Sequence, residues 1–443
     1  MAESAREKNK IVFDPELTVP DLIVLRNLAD DIDRHKLSKS SSPSTSSSER
    51  DEVDTHRLTS LNDPTSPDFD TTILSTLDHH DLLRRLPPFA IKHLLNPYIS
   101  FASRIVRHPT DIVMLTHLIL YFTTSLPSAL YLFLGNFTYP HAILHMCLQF
   151  WYTGTYTLMM HQHIHQNGIL SRSSGIPFVR LFDKVFPYIT DPLMGHTWNS
   201  YYYHHVKHHH VEGNGPDDLS STLRYQRDNI WHFLHYVGRF LFFVWLDLPL
   251  YFFRKGRKVA ATKQIFWETS NFLALFVLFR INPKATSFVF LAPLMLLRLG
   301  LMVGNWGQHC FVDAEEPDSD FRSSITLIDV PSNRYCYNDG YHTSHHLNPR
   351  RHWRHHPVHF LQQKKTYATE KALVFHNIDY LMITLKVLQK DYLHLAKCLV
   401  PMGEQIDMTL EERAELLRRC TRRFTEEEIR EKFPASFGQK KPK

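Results

Sequence analysis

One uncharged stretch constrains the fold of this chain more than any other feature. From Ile112 to Met160, 49 consecutive residues contain no Asp, Glu, Lys or Arg. A helical crossing of the bilayer takes about 20 residues, so this run predicts two crossings. Pro140, which follows a Gly-Asn turn signal, divides the run into a helical hairpin at about 112–134 and 140–160.

A second apolar block covers residues 265–305. Polar and charged residues around Pro283 interrupt it and predict a turn, so two further spans are expected at about 265–281 and 285–304. The segment 231–253 is also apolar but contains Arg239 and Asp247. Because a charge at the middle of the bilayer costs about 2.5–3.5 kcal/mol, this segment is predicted to lie in the membrane interface.

These segments together predict an all-α integral membrane protein, built as a four-span helical bundle with one interfacial helix. Basic residues precede the first span, including Arg104 and Arg107. The positive-inside rule therefore places the amino terminus in the cytosol.

The two ends of the chain differ from the apolar middle. Residues 1–90 are mostly polar, and Ser38–Ser48 holds eight serines in eleven positions, so a mostly disordered tail is expected. Residues 21–33 are the exception, because their leucine and valine spacing allows a short amphipathic helix. Residues 401–443 form a charged tail in which two capping boxes, beginning at Thr409 and Thr425, predict helices.

The charge and the cysteines exclude several classes of protein. There are 50 Lys and Arg against 45 Asp and Glu, a net charge of +5, which is too mild to indicate nucleic-acid binding and suits a protein beside an anionic bilayer. The five cysteines are scattered and form no C-x-x-C motif. This pattern argues against a disulfide scaffold and favours a reducing compartment.

The chain has 30 histidines, and their clustering indicates the chemistry. Three clusters and one single residue matter: His161-Gln-His-Ile-His165 after the second span, His204-His-Val-Lys-His-His-His210, His342-Thr-Ser-His-His346, and His309 after the fourth span. Residues three and four apart share one face of a helix, so each cluster can direct several imidazoles at one point. A poly-histidine surface tract would not recur three times beside apolar spans.

Imidazole is a ligand for iron, zinc, copper and nickel, and a single zinc ion needs only four ligands. About nine well-spaced histidines therefore predict two metal ions with four or five ligands each. No Glu-x-x-His sequence occurs, so a carboxylate-rich di-iron bundle is excluded. H-E-x-x-H and the glycine-rich nucleotide motifs are absent as well.

The three histidine boxes, the ninth histidine and the paired spans resemble the membrane-bound fatty acid desaturase and hydroxylase superfamily, over about residues 110–360. Boxes two and three are also similar to membrane alkane monooxygenases, in which an H-x3-HH box precedes a Val-x4-Pro-acidic segment, as from His205 to Ser220. The spacing of box two allows either His205, His208 and His209 or His205, His209 and His210. The resemblance selects the second set.

The ligand set that the resemblance implies is His161, His165, His205, His209, His210, His309, His342, His345 and His346. No catalytic residue is predicted beyond these ligands. His163, His204 and His208 are predicted to lie outside the set. The N–H groups of the ligands are expected to meet nearby carboxylates, for which the candidates are Asp217, Asp218, Asp313 and Asp339.

The resemblance implies a non-haem di-iron enzyme in the endoplasmic reticulum membrane, which uses O2 and electrons to desaturate or hydroxylate the acyl chain of a lipid. Residues 91–400 would form the catalytic domain, with a histidine-rich cap on the cytosolic side. Neither a His-Pro-Gly-Gly haem motif nor a four-cysteine cluster occurs, so the electron donor is expected to be a separate protein, cytochrome b5 or a ferredoxin. The basic residues Arg254, Lys255, Arg257 and Lys258 could dock such a carrier or bind lipid headgroups.

The desaturase-type boxes leave two alternatives open. A histidine-rich metal transporter would need histidines within the spans, and the first hairpin has His117, His141 and His145. A desaturase-like adaptor without catalysis is the other alternative, although its boxes would not need to be intact. All boxes must meet on one side of the membrane, so an even number of crossings must separate boxes one and three.

Overall fold

The computed structural model describes residues 11–38, 47–171 and 175–438, and these are mainly helical. Most of the serine-rich segment predicted to be disordered, residues 39–46, lies outside the described residues. The first elements are α1 (Val19–Ser38), α2 (Ser47–Ser60), β1 (Thr72–Leu74), β2 (Leu77–Asp78), α3 (His79–Arg85), α4 (residues 88–102), α5 (Ile112–Leu134), α6 (Tyr139–Gln166), α7 (Pro177–Leu193), α8 (residues 202–212), α9 (Ile230–Arg254), α10 (Lys258–Ile281) and α11 (Pro283–Gln308).

The remaining elements are shorter. They are α12 (Asp320–Ser323), β3 (Ile325–Ile328), α13 (His342–Leu347), α14 (His356–Gln362), α15 (Lys364–Thr369), β4 (Leu373–His376), α16 (Tyr380–Leu388), α17 (Tyr392–Cys398), α18 (Leu410–Cys420) and α19 (Glu426–Lys432). Short helical turns occupy Val330–Arg334, Trp353–His355, Gly403–Asp407 and Pro434–Phe437. Strands β3 and β4 pair in parallel, with Ile325 opposite Leu373.

Three of the described helices, α5, α9 and α11, are long and apolar enough to cross a membrane. Two of the four predicted spans, 112–134 and 285–304, fall in α5 and α11. The other two lie within α6 and α10, which are helical but more polar, since α10 carries Lys263 and Glu268. Helix α9, predicted to be interfacial, meets the length and composition for a span, and its two internal charges pair at 3.1 Å between Arg239 Nε and Asp247 Oδ2.

The apolar core joins the long helices to a polar cap. One buried cluster links α9 and α11 to β3, β4 and the carboxy-terminal helices, with Trp306 fully buried at its centre. A second cluster holds α5, α6 and α7 together around Tyr156 and Phe186. These two clusters hold the ends of α6 and α11 beside the loops that follow them, and this is where the histidines lie.

The amino-terminal region is ordered where disorder was expected. Residues 11–38 and 47–90 form helices and strands, and the apolar face of α1, including Val24 and Leu25, is buried against Phe360 and Val374. The prediction of a mostly disordered stretch was therefore wrong for these residues, although the predicted helix at 21–33 is present. Composition misleads here because the apolar surface that covers α1 comes from distant parts of the chain.

The carboxy-terminal helices begin where their capping boxes predict. Thr409 accepts a hydrogen bond from the backbone N–H of Glu412, and Thr425 accepts one from that of Glu428. Both boxes are complete, because each glutamate side chain also accepts a hydrogen bond from the backbone N–H of the capping threonine. Helix α18 packs its buried face, including Leu417, on α17.

Candidate metal centre

The structure brings all nine predicted histidines together in two groups. The five-histidine group consists of His161, His165, His205, His210 and His345. The four-histidine group consists of His209, His309, His342 and His346. Within each group, one ring nitrogen from every residue lies within 4.8 Å of the others.

The first box lies on the last turn of α6. His161 and His165 are four residues apart and share the face that points into the five-histidine group. His163 points elsewhere, with its Nε2 2.9 Å from the carbonyl oxygen of Asp183. Asn167 ends the helix in the left-handed region, at φ 58°.

The second box lies on a π-helical segment, Tyr202–His209, at the start of α8. The backbone N–H of His210 donates to the carbonyl of His205, which is the five-residue spacing of a π-helix. Residues five apart therefore share a face, and His205 and His210 both enter the five-histidine group while His209 enters the other. His208 joins neither group, because its Nε2 accepts a hydrogen bond from the backbone N–H of Leu219 at 3.0 Å.

The third box lies on the short helix α13 and serves both groups. His342 and His346, four residues apart, enter the four-histidine group, while His345 enters the five-histidine group. Gly340 lets the chain approach closely before this helix, because a Cβ there would lie 2.4 Å from the carbonyl oxygen of Leu327. This close approach holds α13 against β3.

The ring nitrogens face one another across each group. In the five-histidine group, the Nε2 atom of His345 lies 3.0 Å from that of His161 and 2.8 Å from that of His210. In the four-histidine group, the Nε2 atom of His342 lies 3.1 Å from those of His309 and His346. Such convergence of imidazole nitrogens matches a ligand shell for metal cations.

The protonation states also suit metal binding. Burial, reinforced by the neighbouring imidazoles, lowers the pKa of His161, His345 and His342 well below the ordinary value. The same causes lower the pKa of His165 to about 3. These rings are therefore neutral at pH 7 and keep the lone pairs that a metal ligand needs.

Outer contacts orient the four-histidine group. The Nδ1 atom of His209 lies 2.8 Å from Asp218 Oδ2, and that of His309 lies 2.7 Å from the carbonyl oxygen of Ser323. These contacts turn Nε2 of each ring inward. Burial raises the pKa of the Asp218 carboxyl group. The nearby rings of His209 and His208 lower it by more, so the pKa of Asp218 lies below its usual value.

Of the four carboxylates predicted to meet ligand N–H groups, Asp218 does so. The other three have different partners: Asp217 pairs with Lys255, Asp313 with Arg322, and Asp339 with Gln308. Sequence reasoning missed Ser323, whose backbone carbonyl meets His309. A backbone acceptor leaves no signal in residue type, so only the fold reveals it.

An apolar cavity of about 390 Å³ reaches both groups. Both groups contribute to its lining. The five-histidine group contributes His161, His205 and His345, and the four-histidine group contributes His209 and His342. Its other walls are mostly apolar and come mainly from α6 and α11, with Phe240 from α9, and they include Phe150, Leu158, Leu296, Gly300 and Gly304. Burial raises the pKa of Asp339, which lies on the cavity wall, to about 7. The cavity residues were not predicted, although the four-residue spacing of Gly300 and Gly304 on one helical face was a usable signal.

The histidines inside the first hairpin belong to neither group. The Nδ1 atom of His117 lies 3.0 Å from the hydroxyl of Tyr121. His141 and His145 each have a ring nitrogen 2.9 Å from the hydroxyl of Ser128. These hydroxyl contacts give each ring a structural role in packing the hairpin, so they do not form the row of metal ligands that a transporter would need.

The comparisons with known proteins agree with this site. A family model described as fatty acid desaturase matches residues 138–368, which is more than half of the chain and includes all nine histidines. No curated protein and no solved structure matches the chain significantly, and the narrower similarity to alkane monooxygenases finds no support in these comparisons. On the family match and the assembled histidine boxes, this chain belongs to the fatty acid desaturase family.

Proposed function

We propose that this protein is a membrane-bound non-haem di-iron oxidoreductase that desaturates or hydroxylates the alkyl chain of a lipid. One observation carries the proposal: two groups of converging imidazoles, most of them buried, border one apolar cavity. The five-histidine group would hold one iron and the four-histidine group the other. Iron bound there would supply the reduction of O2 and an oxidant that removes hydrogen from an unactivated C–H bond.

The residues of the chain would position the substrate for this reaction. Leu296, Phe240 and Phe150 line the cavity with apolar surface, which favours methylene groups and excludes water. Histidines from both groups are exposed to the same cavity, so an alkyl chain in it would lie beside both metal positions at once. The same arrangement serves desaturation and hydroxylation, so the reaction type is left to experiment.

The contacts of α9 support a four-span topology. Tyr236, near the start of α9, donates to the carbonyl oxygen of Ser220 at 3.2 Å, and Tyr251, near its end, donates to Glu212 at 2.6 Å. Ser220 and Glu212 both belong to the histidine-bearing cap, so both ends of α9 lie against that cap. We therefore place α9 along the interface and assign the crossings to α5, α6, α10 and α11.

This topology puts every histidine box on one side of the membrane, which the basic flank of the first span makes the cytosolic side. The electrons would come from a separate carrier, cytochrome b5 or a ferredoxin. Arg254 and Lys258 are exposed at the ends of α9 and α10 and offer a basic surface for an acidic carrier. Lys255 contributes less to this surface, because it pairs with Glu212 at 3.0 Å and Asp217 at 2.8 Å.

Metal analysis combined with product analysis tests the proposal. The purified protein should contain about two iron atoms per chain by elemental analysis. Microsomes that contain it should convert a labelled acyl lipid to an alkene or alcohol only when O2 and reductant are present. Protein that cannot take up iron, or that has two irons but forms no O2-dependent product from any acyl lipid tested, would contradict the proposal.

A further inference from the structure

A small polar pocket adjoins the apolar cavity. It lies among α9, α10, α11 and the segment before α8, and its volume is about 50 Å³. Tyr201, His204, Phe240, Leu297 and Leu301 line both the pocket and the cavity. The pocket is therefore within reach of one end of a chain that occupies the cavity.

The polar lining of this pocket is deeply buried. Gln264 is 0% exposed, Glu268 is 4% exposed, and both lie on α10. Arg298 of α11 is 8% exposed and approaches Glu268, with 3.8 Å between Nη2 and Oε2. Ionisable side chains within the apolar part of a membrane protein are costly and usually mark a functional site.

Within the part of the chain that the structure describes, two acceptor oxygens of the pocket have no hydrogen-bond donor. Gln264 Nε2 donates to Ser200 Oγ and to Glu268 Oε1 at 3.4 Å each, and Thr197 donates to the same Glu268 oxygen at 3.2 Å. Gln264 Oε1 and Glu268 Oε2 receive no hydrogen bond from any described residue, and Arg298 Nη2 lies 3.8 Å from Glu268 Oε2. Buried acceptors without donors cost free energy, so a ligand that donates a hydrogen bond would bind favourably here.

The charges of the pocket define the ligand further. Glu268 and Arg298 together are neutral, so a charged ligand group would be left without a counter-ion. A carboxylate supplies no donor and would be repelled by Glu268. A hydroxyl or an amide N–H supplies the missing donor without adding a charge.

We propose that this pocket binds the neutral hydrogen-bond donor, a hydroxyl or amide group, of the lipid whose alkyl chain occupies the adjoining cavity. That an alkyl chain occupies the cavity rests on the proposed function. Glu268 also borders an apolar recess of about 580 Å³ between α9 and α10, lined by Trp245 and Phe272. This recess gives such a lipid a lateral route from the bilayer to the pocket.

Binding measurements on the full-length protein in detergent test the pocket. Displacement of tritiated 1-dodecanol by unlabelled 1-dodecanol, dodecane and dodecanoate compares three headgroups on one chain. Wild-type protein should bind 1-dodecanol about tenfold more tightly than dodecane, as one hydrogen bond from the hydroxyl to the buried Gln264 Oε1 would provide, and dodecanoate should bind more weakly than the alcohol. In the Gln264→Leu variant, which keeps the Glu268–Arg298 pair, the alcohol-to-alkane ratio should fall to about two.

Thr262→Val is the matched control, because Thr262 lies on α10 close to Gln264 but is exposed and lines neither the pocket nor the recess. It should keep the wild-type ratio. An equal affinity of wild-type protein for alcohol and alkane, as expected if the pocket holds only water, would overturn the proposal, and so would an unchanged ratio in Gln264→Leu. Iron content, measured on the same preparations, reports separately on the proposed function, so the two failures can be told apart.

Discussion

The two histidine groups differ in ligand number and in how they are held. The five-histidine group has one imidazole more than a four-coordinate site needs, and His165, His205 and His210 are only partly buried. In the four-histidine group, His209, His309 and His342 are at most 3% exposed, and His209 and His309 are oriented by Asp218 and the carbonyl of Ser323. One group thus has a spare imidazole, and the other depends on the contacts behind its rings.

One short helix contributes histidines to both groups. Helix α13 sends His342 and His346 to one group and His345 to the other, and the π-helical segment divides the second box in the same way. The two groups therefore share two backbone segments. Their unequal shells nevertheless lead us to expect unequal responses to mutation.

The largest difference should come from removing one ligand in each group. His342→Ala leaves three imidazoles in the four-histidine group, and we expect at least about a hundredfold weaker binding of one iron and a content near one per chain. His165→Ala leaves four in the five-histidine group and should weaken binding by about tenfold at most. Elemental analysis at limiting iron measures both. Equal losses in the two variants would show that the groups are equivalent.

Removing the outer carboxylate should have the next largest effect. Asp218→Asn places an N–H donor among groups that donate to this side chain, so we expect binding of the iron in the four-histidine group to weaken about 10–100-fold. Asp217→Asn is the control, because the carboxylate of Asp217 forms an ion pair with the partly exposed Lys255 and not with a histidine of either group. Iron titration of both variants separates an outer-contact effect from a general loss of charge, which would appear in both.

A change in the cavity should leave both groups intact. Gly304 lines the cavity, and a Cβ there meets no atom of the described residues within 4 Å, so Gly304→Leu can fold but fills space that the substrate would use. We expect about a tenfold lower kcat/KM for long chains, a smaller loss for short chains, and unchanged iron content. Gly238→Leu adds the same side chain at another open position outside the cavity. Loss of iron in Gly304→Leu would show that the cavity and the metal groups are not separable.

The smallest effect on metal binding is expected from changing Asp21 of α1, which contacts Tyr341, the residue before His342. Asp21 accepts hydrogen bonds from Tyr341 at 2.8 Å and from Asn333 at 2.9 Å, and burial raises its pKa from 3.8 to about 6. Between these pH values the folded protein holds a proton that the unfolded chain has released. The contribution of Asp21 to the free energy of unfolding should therefore fall by about 2 kcal/mol as the pH rises from about 4 to 6, and change little above that.

Asp21→Asn removes this titration, so the difference in melting temperature between pH 4 and pH 7 should shrink while iron content stays the same. The exposed Asp33→Asn, on the same helix, should leave the pH dependence as it is. A pH dependence that survives in Asp21→Asn would assign it to another buried carboxyl group.

Much of the metal centre could be predicted from the sequence, and most of its surroundings could not. The nine histidines follow from their spacing and the family resemblance, because ligand geometry imposes residue type and interval. The π-helical segment explains why His205, His209 and His210 enter the two groups, where α-helical spacing favours His205, His208 and His209. The hydrogen-bond partners of these rings, such as the carbonyl of Ser323, are brought close by the fold, and no local sequence pattern predicts them.

The sequence by itself determined the apolar helices, the histidine boxes and the capped carboxy-terminal helices, because each depends on residues close together in the chain. Only the tertiary structure decided that α1 is ordered and which ligand belongs to which group. The position of the polar pocket next to the cavity also follows only from the tertiary structure. These features depend on surfaces contributed by residues a hundred or more positions apart, and burial between such surfaces is a property of the folded chain rather than of any segment.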